Sequence, residues 1–352
     1  MTFLVQALLA GLLTGLLIVW LRHAAVRFGL VDHPGGRKRH GDVVPLTGGL
    51  AITVGFFAAL AVSFNALGDF TVFLVATAVL AAIGLLDDLG EVSPRTKMGV
   101  QMLAAVLMTS WGNHFLVDLG DLFGRGPLLL ANWAIPLTIF ATVAVINGVN
   151  MFDGMDGLAG GLVAVMLAYF AVFSMWLSDV NALKVVAVLL GAVMGFLVFN
   201  APHPWRGGRR TFMGDTGSLV LGFAVAWFTI DLTQRATPAV PPVVMLWVVG
   251  IVLFDVFTVT VRRVVRRRDP AAPDRAHIHH LLLRFGYSVP MTWLLLLAAN
   301  VVLAAIGTIG WQAGAPEQLL FSGFITVGLA YFALFFSPAW LLRWHRRRAR
   351  AG

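Results

Sequence analysis

The chain has 352 residues, 59% of them hydrophobic and only 12% charged. A water-soluble fold carries roughly a quarter of its residues charged, so a soluble enzyme, a disordered protein and a coiled coil are excluded, and the absence of cysteine removes structural disulfides, thiolate metal sites and Cys nucleophiles together. The net charge of +8 would suggest nucleic acid in a soluble protein, but here its distribution along the chain speaks for membrane topology, and no nucleic-acid partner is expected.

Apolar runs recur from one end to the other, each near the ~20 residues that a helix needs to cross ~30 Å of hydrocarbon. They are continuous rather than alternating, which argues against a β-barrel. Unpaired strands cannot cross a bilayer, so the runs are read as helices. Eleven are expected, over about 3–21, 47–64, 70–86, 98–112, 130–147, 158–177, 182–199, 217–231, 240–261, 290–311 and 319–342, the fourth being the shortest. Alternate connections, with the C-terminal tail, hold 22 of the 25 Lys and Arg residues. The positive-inside rule places those connections in the cytoplasm, with the N-terminus outside and the C-terminus inside. No basic segment precedes the first run and Arg22 follows it directly, so it reads as an uncleaved helix. The expectation is an all-α integral membrane protein, a polytopic bundle of about eleven transmembrane helices. It forms one domain over 1–352, with a basic cytoplasmic tail at 343–352.

Polar islands gather on the face assigned to the cytoplasm. The first loop carries Arg37, Lys38 and His40 at the membrane surface; they could hold a lipid phosphate or serve topology alone. Asp87 and Asp88 end the third run. Adjacent acids beside an apolar run must be hydrated, paired or bound to a cation, and carboxylate oxygens suit Mg²⁺; a solvated helix end is the bland alternative. Lys97 opens the fourth run and faces this pair. Asn147, Asn150, Asp153 and Asp156 recur at three-residue spacing, which on a helix is one face; a cap and turn would explain them more simply. Asn200 ends the seventh run, and Gly214-Asp215-Thr216-Gly217-Ser218 opens the eighth. A Gly-rich turn at a helix N-terminus suits an anion, with ordinary capping by Asp215, Thr216 or Ser218 as the alternative. Arg275, His277, His279 and His280 cluster in the ninth loop. Their spacing matches no zinc pattern and favours phosphate or sugar recognition. Asp255 lies inside an apolar run, where an acid is a functional candidate by default and pairing with Arg262 or Arg263 is the plain reading.

Carboxylates for Mg²⁺, cations for phosphate and a helix N-terminus for anions are the parts of phosphoryl transfer, which works by positioning and charge neutralisation. Membrane embedding adds a lipid substrate. A lipid or ion transporter would instead place polar groups near mid-bilayer, where Asp255 is the exception rather than the rule.

The motifs DHPGGRKRH with the following P and GG, LLDDLG with SPRTKMGVQ, NGVNMFDGMDGLAGG, FMGDTGS and DRAHIHHLL resemble those of the polyprenyl-phosphate N-acetylhexosamine-1-phosphate transferases, glycosyltransferase family 4. The likeness covers about 30–285, and the DRAHIHH form is similar to the N-acetylglucosamine branch rather than to the phospho-N-acetylmuramoyl-pentapeptide branch. The resemblance implies transfer of a sugar-1-phosphate from a UDP-N-acetylhexosamine to undecaprenyl or another polyprenyl phosphate in the bacterial cytoplasmic membrane. It also implies a need for Mg²⁺, with Mn²⁺ as a substitute, and a homodimer as the assembly. By the same resemblance Asp215 is the direct metal ligand, Asp88 and Asp156 are assigned to the metal with it, and Asp87, supported by Asp88, is the base or lipid-phosphate partner. Asn150, Asp153 and Asp156 line the nucleotide and metal region, and Lys97 holds phosphate. His277, His279 and His280 with Arg275 contact the sugar nucleotide. Asn147, Asn200, Gly214 and Ser218 complete the expected substrate site.

Overall fold

A computed structural model describes residues 3–32, 43–62, 68–204, 210–235, 239–267 and 277–337. Among them the regular structure is helical apart from one two-stranded ladder and an isolated bridge between Asp118 and Leu129. Helix α1 (Phe3–Phe28) leads into strands β1 (Val31–Asp32) and β2 (Val44–Pro45), which pair antiparallel with Val31 opposite Pro45. There follow α2 (Gly48–Ala61), α3 (Thr71–Leu89), α4 (Pro94–Val106), α5 (Ala134–Phe152), α6 (Leu158–Trp176), α7 (Val180–Asn200) and α8 (Gly214–Asp231). After these come α9 (Pro242–Val248), α10 (Gly250–Val265), α11 (Ile278–Arg284), α12 (Val289–Gln312) and α13 (Glu317–Phe335). Two compact units are formed, Met1–Val117 with Leu130–Val240, and Asp118–Leu129 with Pro241–Gly352.

Among the described residues, seven stretches are long and apolar enough to cross a membrane: α1, α3, Ala131–Phe152, α6, α7, α12 and α13. The chain is a multi-pass membrane protein. The expected run over 240–261 is not one straight helix: α9 and α10 meet at a bend of 76°. The break falls at Val249, whose ψ of 7° lies outside the helical well. The run over 98–112 is α4 continued by a π turn at Leu107–Trp111. Helix starts follow the sequence chemistry. Ser93 caps α4 by accepting from the Thr96 N–H, with Pro94 next to it, and Asp179 caps α7 through the N–H groups of Asn181 and Ala182.

In the first unit α8 lies against α2, α3, α5 and α6, and is buried along almost its whole length. Phe73 of α3 stacks on Phe223 at 5.9 Å and packs with a tilted ring on Trp227 and Phe228. Lipid tails are as apolar as leucine, so such a core gains from close packing rather than from leaving water. Small residues serve the same end: a Cβ on Gly191 of α7 would lie 2.0 Å from the Ala7 carbonyl oxygen of α1. In the second unit Trp247, Phe254 and Phe324 form the apolar centre, and the Trp247 indole donates to the Leu320 carbonyl at 3.1 Å.

The π turn ends in a charged lock at the end of α8 remote from Asp215. His114 places Nδ1 against the Gly112 carbonyl and Nε2 3.0 Å from Asp231 Oδ1, and its ring stacks on Trp227 at 4.4 Å. Arg235 joins Asp231 to Asp179. Both imidazole nitrogens face acceptors, an arrangement that the protonated ring, with two N–H donors, satisfies in full. Burial opposes that charge, but Asp231 and the Gly112 carbonyl outweigh burial and Arg235, holding the His114 pKa above its ordinary value. A raised folded-state pKa stabilises fully below the unfolded value of about 6.5, and the gain is lost as pH rises through the folded value. The melting temperature of purified protein in detergent is therefore expected to fall as pH is raised from about 6 to 9. His114→Gln should be less stable by about 1–2 kcal/mol at the acid end and should flatten that slope. An unchanged slope in the variant would remove His114 as its source.

Candidate active site

The helix ends of the first unit converge because short backbone pairings draw them together. The Pro45 carbonyl accepts from the Phe212 N–H and the Thr211 hydroxyl, both at 2.9 Å, while the N–H groups of Gly48 and Gly49 donate to the Phe212 and Met213 carbonyls. This pairing carries the start of α2 onto the start of α8. The approach is so close that a Cβ on Gly49 would fall 2.1 Å from the Gly217 nitrogen. Gly214 has φ +70°, and the place of its missing Cβ is taken by the Asp88 carboxylate at 2.5 Å, so no side chain fits there.

The first N–H groups of a helix lack partners within it. In α8 they are taken by Asp88 from the end of α3. Its Oδ1 accepts from the Asp215 N–H at 2.7 Å, and its Oδ2 from the Thr216 N–H at 3.0 Å and the Thr216 hydroxyl at 2.6 Å. The cap is thus not local: Met213, at the N-cap position, makes no side-chain bond to the helix. With its oxygens so used, Asp88 sets where Asp215 stands.

Lys97, in the first turn of α4, joins two carboxylates. Its ammonium donates to Asp215 Oδ2 at 2.8 Å and to Asp87 Oδ2 at 3.0 Å. Asp87 also accepts from the Val92 N–H at 2.8 Å. Asn150, on the last turn of α5, donates to Asp215 Oδ1 at 3.0 Å and to the Ser218 hydroxyl at 2.8 Å. Asp87, Asp88, Lys97, Asn150, Asp215 and Ser218 therefore form one hydrogen-bonded network at the rim of the unit. Asn147 and Asn200 stand one step outside it. Asn147 donates to Gln101 of α4 at 2.6 Å, and Asn200 accepts from the Gly157 N–H and donates to the Thr211 carbonyl, each at 2.7 Å. Arg210 donates to Asp156 at 2.6 Å and lies over the Phe212 ring.

The turn after α5 supplies Asp153. Burial first, and then the charges of Asp215, Asp88 and Asp156, hold its carboxyl well above the usual carboxylate range. Among the described residues, the charges that act on it are all negative. Among those residues, too, no three His, Asp or Glu side chains make a ready metal cage. Mg²⁺ does not need one: it keeps several waters and takes one or two carboxylates together with substrate phosphates. Asp153 and Asp215 fit that demand, since a cation between them would relieve the repulsion that now favours a proton.

The histidine segment belongs to the second unit. His279 is 1% exposed. Its ring lies 4.1 Å from that of His280 and parallel to that of His277 at 6.0 Å. Burial, with the charges of His280 and His277, holds its pKa well below the ordinary value. Arg37, Lys38, His40 and Arg275 lie outside the described residues, as does the tail at 343–352. Gln101 and Arg210 are site neighbours that the sequence does not single out, whereas Thr216 is named there as a possible cap. Gln101 closes the SPRTKMGVQ motif, and its place in that string is the available signal; Arg210 is one of the basic residues of the seventh connection.

The two acids of the pair should separate on substitution. Asp88→Asn leaves one of its two capping oxygens and is expected to lower stability by about 1–2 kcal/mol, the size of a lost N-cap. Asp87→Asn, at a partly exposed ion pair, should stay within about 0.5 kcal/mol. Thermal melting of both variants in one detergent checks this; equal losses would overturn the capping role.

All members of this network, from Asp87 to Ser218, lie inside the stretch 70–233 that matches the sequence model of glycosyl transferase family 4. Similarity to known proteins runs much further. The chain is 33% identical over 322 residues to the undecaprenyl-phosphate alpha-N-acetylglucosaminyl 1-phosphate transferase of Escherichia coli O157:H7, covering 91% of this chain and 87% of that protein. It is 34% identical to the protein of the same name from Salmonella typhi, over 94% of this chain and 90% of that one. With the Haemophilus influenzae protein of that name it shares 34% identity over 95% and 94% of the two chains. At that identity along nearly the full length of each protein, the chain belongs to glycosyl transferase family 4.

Proposed function

We propose that this chain transfers N-acetylglucosamine-1-phosphate from UDP-N-acetylglucosamine to undecaprenyl phosphate at the cytoplasmic face of a bacterial cytoplasmic membrane, releasing UMP. An oxygen of the lipid phosphate attacks the phosphorus that carries the sugar, and the bond from that phosphorus to the UMP oxygen breaks. One diphosphate replaces another, so the step is readily reversible. The relatives' names supply the lipid and the sugar and favour this branch over the muramoyl-pentapeptide one. The observation that carries the reading is the Lys97 ammonium held between Asp87 and Asp215 at converging helix ends.

Each residue has a task that follows from its place. Lys97 offsets phosphate charge and can exchange a carboxylate for a phosphate oxygen. Asp87 orients the lipid phosphate; a phosphate monoester is already largely anionic near pH 7, so little proton removal is asked of it. Asp215 and Asp153 would hold Mg²⁺, or Mn²⁺ in its place, with Asp88 fixing Asp215 and Arg210 holding Asp156. When bound, the metal neutralises charge on the transferred phosphoryl group. To His277, His279 and His280 we assign recognition of the sugar-nucleotide phosphates. We also read eleven membrane crossings, adding α2, α4 with its π turn, α8 and the bent α9–α10 pair to the seven long stretches, with the N-terminus outside.

Purified protein in detergent with undecaprenyl phosphate and Mg²⁺ is expected to release UMP from UDP-N-acetylglucosamine, and not from UDP-MurNAc-pentapeptide. EDTA should abolish release and Mg²⁺ restore it. Asp215→Asn and Asp153→Asn are expected to lose on the order of 10²–10³-fold in kcat. Lipid-dependent UMP from the muramoyl substrate alone would move the chain to the other branch. Full activity of Asp87→Asn above pH 7.5 would remove any role of Asp87 as a base.

A further inference from the structure

The second unit contains a buried carboxylate held by three protein donors. Asp255, on α10, is 2% exposed. Its Oδ2 accepts from His277 Nδ1 at 2.6 Å; its Oδ1 accepts from the Ile278 N–H at 3.0 Å and from the Tyr331 hydroxyl at 2.8 Å. The three donors come from different places: the residue before α11, the first residue of α11 and the middle of α13. Two contacts therefore fix the start of the helix that carries His279 and His280. The third ties that start to the last helix, whose sequence holds no motif. A further bond joins α10 to α13, from the Arg262 guanidinium to the Phe335 carbonyl at 3.2 Å.

We infer that Asp255 and Tyr331 are positioning residues for the histidine segment: Asp255 holds His277 with hydrogen on Nδ1 and anchors the first turn of α11, and Tyr331 holds Asp255 in place. A carboxylate can only accept, so its partner nitrogen must donate. That choice leaves His277 Nε2 as the nitrogen available to a ligand when the ring is neutral. Tyr331 acts as the second donor to Oδ1: without its hydroxyl that oxygen keeps only the Ile278 N–H, and the carboxylate is less tightly held. Phe254 and Phe335 flank the Tyr331 ring at 5.9 and 4.7 Å and keep it directed at Asp255. The inference rests on the proposed role of the histidines in binding sugar nucleotide.

Asp255→Asn conserves volume but puts an NH₂ group where Oδ2 stood. If the amide oxygen keeps the Ile278 N–H, that NH₂ faces His277 Nδ1, which must then accept, and the neutral ring moves its hydrogen to Nε2. Full-length protein labelled with ¹⁵N-histidine is expected to show, besides any signal of His114 bonded to the Gly112 carbonyl, a hydrogen-bonded Nδ1–H signal of His277 that vanishes in His277→Asn, which assigns it, and in Asp255→Asn. Tyr331→Phe should keep the signal. In the UMP assay Asp255→Asn should raise KM for UDP-N-acetylglucosamine about tenfold, the effect of one lost hydrogen bond to a charged group. Tyr331→Phe should raise it about threefold, and KM for undecaprenyl phosphate should stay within about twofold in both. The inference is overturned if the wild-type protein lacks the Nδ1–H signal, if Asp255→Asn keeps it, or if both variants raise the two KM values alike. A wild-type protein that shows the assigned signal but makes no UMP would overturn the proposed reaction and leave the positioning of His277 standing.

Discussion

The carboxylate of Asp88 closes the N-terminus of α8, and the geometry of the carboxylate site depends on that closure. Helix ends inside a membrane protein leave backbone N–H groups that neither lipid nor packed side chains can satisfy. Here the missing acceptor arrives from α3, and its second oxygen takes the Thr216 hydroxyl as well. The contact is possible only because Gly214 leaves room for the carboxylate and because Gly49 and Gly217 let two backbones meet. Once α8 is held there, Asp215 stands where Lys97 and Asn150 can reach it from α4 and α5.

The charge arrangement that results is unbalanced in an informative way. Asp87 and Asp215 share Lys97, and Asp156 has Arg210, but Asp153 has only negative charges acting on it among the described residues. A protein that needed this region for stability alone would gain by replacing one acid with an amide or an apolar residue, since buried unpaired charge is costly. Surplus negative charge at an open rim is instead what a divalent cation and a phosphate-bearing substrate would complete. The stability forgone is the usual cost of a pre-formed electrostatic site.

The second unit solves a related problem with different parts. Three histidines in a short helical segment have little intrinsic order, because a helix of seven residues is marginal by itself. Asp255 supplies the order from α10, in a position where an isolated acid would be expelled from an apolar core. It remains because each oxygen is engaged by a donor. A buried carboxylate thus marks a place where geometry, rather than net stability, is being maintained.

The sequence by itself determined the membrane character, the helical class and the positions of nearly all the apolar helices, because length and hydropathy act locally and a bilayer allows few alternatives. It also set Asp87, Lys97, Asn150, Asp153 and Asp215 at the ends of apolar runs. The tertiary structure alone decided which partners those residues meet. Asp87 and Asp88 are neighbours of one type, yet helical geometry points one at Lys97 and the other at the backbone of α8. No local pattern shows that partner, 127 residues away. The bend between α9 and α10 falls beside Gly250 in an apolar run without proline at the break, where hydropathy alone gives no sign of it. Tyr331 was hidden for the same reason: a lone tyrosine in an apolar helix reads as packing until the fold sets a buried carboxylate 2.8 Å from its hydroxyl. Hydropathy encodes which segments leave water, while polar partnership depends on which segments meet, and that is settled by packing.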